Sequence, residues 1–176
     1  MNTPVRQNRL WLIYFLVVIV LSVAATAALW YFNVSIQLTP EELAEERQLW
    51  KEKGPSDYFL AYLRLEDEES TGKLYQVEVH GGKVTQAREH TVNVRAGRET
   101  DPPGEGRTLT VEEGQQHTMD RLFDLVQAQL DQDQKVGRRV YRRARFHPDN
   151  GALLEYVHRP MGTRQRLQIS VQAFKF

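Results

Sequence analysis

The apolar positions divide the chain into one unbroken block and a longer region of helical and alternating periodicity. Residues 10–32, LWLIYFLVVIVLSVAATAALWYF, contain no charge. At about 1.5 Å per residue they make a helix of about 34 Å, enough to cross a hydrocarbon core of about 30 Å. Trp11 and Tyr14 lie near one end, Trp30 and Tyr31 near the other, as the interfacial aromatic belts of a spanning helix do. Arg6 and Arg9 precede the block, and Glu41, Glu42, Glu45 and Glu46 follow it before the first basic residue, Arg47. Basic flanks stay cytoplasmic, so the expectation is a single-pass anchor with its amino terminus inside. A cleaved signal peptide is the competing expectation, because Ala25-Thr26-Ala27 is a small-x-small site. Leu29 to Phe32 prolong the apolar run past it. Both place the remainder on the outer side.

After the block, Thr39-Pro40-Glu41-Glu42 is a helix start: a capping hydroxyl, proline at the first position and glutamate three residues after the cap. The helix is expected to run to about Lys53, where Gly54-Pro55 stops it. Its apolar stripe is thin (Leu43, Leu49, Trp50), which suggests a stalk docking through Trp50. Tyr58–Leu65 reads as a largely buried strand, and Leu74–His80 alternates Tyr75, Val77 and Val79 with polar residues. Gly81-Gly82 is a hairpin turn leading into Lys83–Val94. Residues 95–107, with Gly97, Pro102, Pro103, Gly104 and Gly106, read as a loop. Met119, Leu122, Phe123, Val126 and Leu130 share one face of a helix starting near Thr118. Three strands finish the chain: Arg139–Phe146, Ala152–His158 after a Pro-Asp-Asn-Gly turn, and Arg164–Phe176, where Leu167, Ile169, Val171 and Ala173 alternate with polar residues.

The fold class expected is α+β: an amino-terminal transmembrane helix, then an antiparallel β-sheet packed against one or two α-helices. The division is residues 1–9 cytoplasmic tail, 10–32 anchor, 33–55 juxtamembrane helical stalk and 56–176 extracytoplasmic domain. The cell or inner membrane is the location this implies.

Composition narrows the chemistry. With 23 basic and 23 acidic residues the net charge is zero, which removes the basic excess that nucleic-acid binding needs. The absence of cysteine excludes a disulfide framework, a thiolate metal site and a cysteine nucleophile. His80, His90, His117, His147 and His158 show no zinc spacing. His147 with Asp149 lies within a turn that uses Asp and Asn for backbone reasons. Asp131 and Asp133 start like a calcium loop, but Gly137 and Arg142 fall where that loop needs other residues. No catalytic, cofactor or metal residue is assigned.

Charge layout is the most unusual feature. Residues 41–69 hold ten acidic and four basic residues, and residues 138–166 hold eight arginines and two acids. In the run from Arg138 to Arg145, with Val140, Ala144 and Phe146 turned inward, Arg139, Tyr141, Arg143 and Arg145 share the outer face. Arg139, Arg143 and Arg145 are therefore candidate contacts for an acidic protein, an anionic polymer or anionic headgroups. The alternative is a solvated face pairing with the chain's own acidic segment.

Several landmarks occur in one order: Trp50, Asp57-Tyr58, Val77-Glu78-Val79-His80-Gly81-Gly82-Lys83-Val84, Thr118 through Leu122-Phe123 to Val126, and Asn150-Gly151. In these, residues 50–176 resemble an uncharacterised bacterial family, the domain of unknown function numbered six-one-seven-four. Its members look like small exported or membrane-anchored domains. Where the family tends to carry Gly-aromatic-Pro, this chain has Gly151-Ala152-Leu153. The resemblance implies no activity. The expected function is a non-enzymatic, membrane-anchored accessory or interaction module. A small-ligand or lipid-binding domain, with a cavity between the sheet and the Met119–Leu130 helix, is the alternative; a hydrolase with a scattered site is third.

Overall fold

The computed structural model describes residues 5–35, 37–67, 71–95, 98–99, 106–137 and 139–176. The chain forms two compact units, residues 1–37 and 38–176. The first contains α1, a 31-residue helix over Val5–Ser35. Its side chains are described for residues 11–27, fewer than the roughly 20 residues that a span takes. Among the described residues no helix is long and apolar enough to cross a membrane.

The second unit is α+β. Its helices are α2 (Pro40–Lys53), α3 (Val111–Gln115) and α4 (Met119–Val136). Its strands are β1 (Tyr58–Glu66), β2 (Thr71–His80), β3 (Lys83–Arg95), β4 (Arg98–Glu99), β5 (Arg107–Thr108), β6 (Val140–Phe146), β7 (Leu153–Pro160) and β8 (Leu167–Lys175). They form an antiparallel sheet in the order β4-β3-β2-β1-β8-β7-β6, with β5 also pairing β3. The carboxy-terminal strand thus inserts beside β1 and joins the two meanders.

Local chemistry sets the boundaries. Thr39 caps α2 through its hydroxyl and Glu42 N–H, and Gly54 N–H returns to the Trp50 carbonyl. α3 was not anticipated: Thr110 and Glu113 close a reciprocal capping box around a single turn, too short for periodicity to reveal. Gly137, in the left-handed region at φ +63°, ends α4. Most of the expected 95–107 loop lies outside the described residues, as do residues 1–4 and Arg138; its ends form β4 and β5.

One face of the sheet carries the core. Leu60, Tyr62, Val77, Val79, Tyr156 and Ile169 meet Met119, Leu122, Phe123, Val126 and Leu130 of α4, all nearly inaccessible. Burying five such side chains stabilises the fold by about 1.5–3 kcal/mol each. A smaller cluster of Leu63, Leu65, Leu74 and Val92 lies on the opposite face, since these residues alternate with the first set along β1 and β2.

Two expectations change. The compact unit begins at Leu38 rather than at residue 56, because Leu38, Leu43 and Trp50 are all buried in the main core. α2 therefore packs along its length instead of standing off as a stalk. Ala173 also leaves the inward phase. A bulge shifts the β1–β8 register, so Val171 pairs with Tyr62 but Ala173 with Ala61, and Phe174 turns inward to pack on Trp50 and Tyr58.

Gly151 explains how closely α2 approaches. It has φ +71°, and a Cβ there would stand 2.4 Å from the Glu46 carbonyl oxygen. At Gly137 a Cβ would meet nothing within 4 Å. Gly137→Ala is expected to cost about 1–2 kcal/mol, the left-handed penalty alone. Gly151→Ala is expected to cost clearly more, because the helix must also move. Urea unfolding of the two variants measures this, and equal losses would show that the α2 contact at Gly151 is slack.

Candidate functional site

The three arginines singled out by sequence are brought together. Arg143 and Arg145 are exposed on β6, and Arg139 is exposed immediately before it. Inward-turned Ala144 and Phe146 pack on the core, so the odd-numbered positions share the outer face. β6 is the free edge of the sheet, and on that face Arg159 of β7 stands opposite Tyr141. Glu155 is the carboxylate nearest Arg145, at 3.9 Å. Among the described residues Arg139, Arg143, Arg159 and Arg164 make no ion pair. Within the acidic segment Glu66 pairs with Arg64. Arg47, within that segment, pairs with Asp124.

A second feature escaped the sequence reading. At the end of α4 remote from Tyr58, a cleft of about 320 Å³ opens over the sheet's inner face, lined by residues that include Arg64, Glu66, Asp133, Val140, His158 and Leu167. His158 Nε2 lies 3.1 Å from both Asp133 oxygens, and Arg142 Nη1 lies 3.7 Å from Oδ2. Asp133 thereby ties the last turns of α4 to β6 and β7. The nearby Tyr156 hydroxyl is buried without a hydrogen-bond partner among the described residues; burial, then the Asp133 charge, pushes it above its ordinary value. The signal was present in the pattern. Asp133 follows Leu130 by three positions on the apolar stripe, and Arg64, Arg142 and His158 occupy inward phases of their strands. Charged groups at inward positions mark where the core ends. Among the described residues the lining holds no Ser, Thr or Cys. Among the described residues no group of three potential ligands could hold a metal ion.

A third cluster buttresses the α3–α4 turn. The Tyr62 hydroxyl and His117 Nδ1 share a hydrogen bond at 2.7 Å, and Tyr75 stacks on the imidazole at 3.9 Å between centroids. Tyr75 also bonds Glu89, which accepts from Lys73 at 3.0 Å. Burial pushes Tyr62 up, and pushes Tyr75 up to about 12. Burial would also raise Glu89, but Lys73 and Arg107 outweigh it and hold the carboxyl below its ordinary value. His147 and Asp149, by contrast, sit in an exposed turn, with Nδ1 accepting from the Asp149 amide.

No protein-family model matches the chain, and no curated protein is significantly similar to it.

Burial, followed by the Arg64 charge, lowers His117 from 6.5 to about 4. The unfolded chain therefore takes up a proton below pH 6.5 that the folded protein excludes. Stability falls as pH drops from 6.5 and this contribution levels off below about 4. Unfolding midpoints across that window should slope less in His117→Asn than in the native protein; equal slopes would assign the acid sensitivity to other groups.

Proposed function

We propose that the chain is a single-pass membrane protein whose α+β domain lies on the outer side and acts as a non-enzymatic interaction module, binding an anionic partner through Arg139, Arg143 and Arg145. The observation that carries this reading is the arginine face itself: exposed guanidinium groups on the sheet's edge strand, with Glu155 the one carboxylate among the described residues that pairs with them. Unpaired like charges on one face raise the local potential and favour a polyanionic surface.

The anchor is supported by the uncharged residues 10–32 within the 31-residue α1. Large apolar side chains from Trp11 to Val23 are 42–71 % exposed, a continuous surface that a soluble domain would cover. The Ser22 and Thr26 hydroxyls both donate at 2.8 Å to the carbonyl four residues back, which satisfies them without water. Arg6 and Arg9 put the amino terminus in the cytoplasm, and the membrane is then the cell or inner membrane.

Kinship with family six-one-seven-four belongs to the same proposal. Its landmarks meet in space: Asp57 accepts from the Gly81 amide, and Trp50 packs where a Cβ at Gly151 would meet the α2 backbone.

Ligand binding is the second reading, favoured by the cleft at Asp133 and His158. Its polar lining suits a small polar molecule better than a lipid chain, because the space beneath α4 is filled by the apolar stripe.

Cross-linking the full-length protein in its native membrane, beside an Arg139→Glu/Arg143→Glu/Arg145→Glu variant, tests the reading. A specific partner is expected with the native chain and not with the variant. Identical captures from both would remove the arginine face as the binding surface.

A further inference from the structure

Towards its carboxy-terminal end the buried stripe of α4 gives way to polar groups. Gln132, Asp133 and Val136 stand three, four and seven positions after Gln129, so the four share one helix face. All four line the cleft of about 320 Å³. Gln165, in the β7–β8 connection, lines it as well. The Gln129, Gln132 and Gln165 amides make no hydrogen bond among the described residues. Neighbouring glutamines differ: Gln127 donates to Asp131, and Gln168 accepts from Arg166. The amides without partners are thus the ones that line the cleft.

Charge in the lining selects no ion. Asp133 is held by His158 and Arg142, and Glu66 by Arg64. Asp67 is exposed and makes no ion pair among the described residues, and Glu68 and Glu69 follow it in the chain. An anion in the cleft would face Glu66, Asp67 and Asp133; a cation would face Arg64 and Arg166. What remains to recognise a ligand is the amides. Each is donor and acceptor at once, and the neutral ligand group that answers both from a single atom is a hydroxyl. The paired carboxylates keep lone pairs that accept further hydroxyl donors. Apolar surface completes the lining: Val136 is 51 % exposed, and Val140 and Leu167 are half-buried. Hydroxyl edges and C–H faces occur together in a sugar ring. The volume lies at the small end of the range of about 300–1,000 Å³ that ligand pockets occupy.

We propose that the cleft binds a neutral sugar, with Gln129, Gln132 and Gln165 as its hydrogen-bonding groups and Val136 against the C–H face of the ring. This rests on the reading of the cleft as a ligand site and adds the ligand's class. Arg139, Arg143 and Arg145 take no part, so the arginine face and the cleft stand or fall separately.

The test uses the full chain in phosphatidylcholine nanodiscs and sugars that share a pyranose ring but differ in charge: N-acetylglucosamine, glucosamine and glucuronate. Saturation-transfer NMR reads their binding. N-acetylglucosamine is expected to bind at least about fivefold more tightly than either charged relative. Gln132→Ala/Gln165→Ala changes two exposed positions and leaves the unfolding midpoint in place; it is expected to weaken N-acetylglucosamine at least about fivefold. The charge series uses the native chain and does not depend on the variant. Chitotriose binding more tightly than the monomer would assign the ligand to a glycan chain, and equal binding would assign it to a free sugar. Glucosamine or glucuronate binding as tightly as the neutral sugar overturns the inference and leaves the cleft a ligand site. Native affinity in the glutamine variant overturns it too, by placing the sugar elsewhere. No binding by any of these sugars overturns both the inference and the ligand reading beneath it.

Discussion

The contact between α2 and the turn at Gly151 decides where everything else in the domain lies. Only a residue without a Cβ, at positive φ, lets the β6–β7 turn touch the α2 backbone at Glu46 and Trp50. That approach seats Trp50 against Tyr58 at 5.6 Å and Phe174 at 6.0 Å between centroids. The Trp50 indole thus joins the first and last strands, while its backbone meets the β6–β7 hairpin at Gly151. Gly54 completes the arrangement, since a side chain there would collide with the Trp50 ring and carbonyl. With α2 locked at this end, its other end must lie along β6, and Leu38 meets Arg142.

Much of this was legible in sequence because it depends on local patterns. Alternation in β2, the five-residue stripe of α4, the Gly81-Gly82 turn and the Thr39 cap each occupy a window shorter than twenty residues, and each appears where expected. What was illegible depends on long-range packing. α2 has a thin stripe, yet Leu38 and Leu43 are buried because β6 and α4 close over them, and periodicity within α2 cannot register that. The β8 bulge is similar: strict alternation placed Ala173 inward, but Phe174 is the larger side chain and reaches Trp50 only if the register slips.

The arginine face and the cleft differ in the same way. Arg139, Arg143 and Arg145 were legible because alternation along a single strand fixes their side. The cleft was not, although its residues broke the pattern visibly. Asp133 on the apolar stripe looks like a solvated helix end until β6 and β7 bring Arg142 and His158 beneath it. A carboxylate at a stripe position is costly unless it is paired, so such a residue predicts partners at inward strand positions even before the strands are placed.

Charge is therefore sorted by engagement rather than by sequence position. Some acidic groups are tied to basic partners: Glu66 to Arg64, Glu89 to Lys73, Asp124 to Arg47, and Asp133 to His158 and Arg142; Glu41, Glu42 and Glu45 are exposed and make no ion pair among the described residues. Of the arginines that point outward on β6 and β7, Arg143 and Arg159 make no ion pair among the described residues, and Arg145 meets Glu155 at 3.9 Å. A chain of zero net charge thereby presents a locally basic surface, and presents it on the edge strand where the incoming segment is pinned. Stability does not require that placement, because exposed unpaired arginines add little to folding.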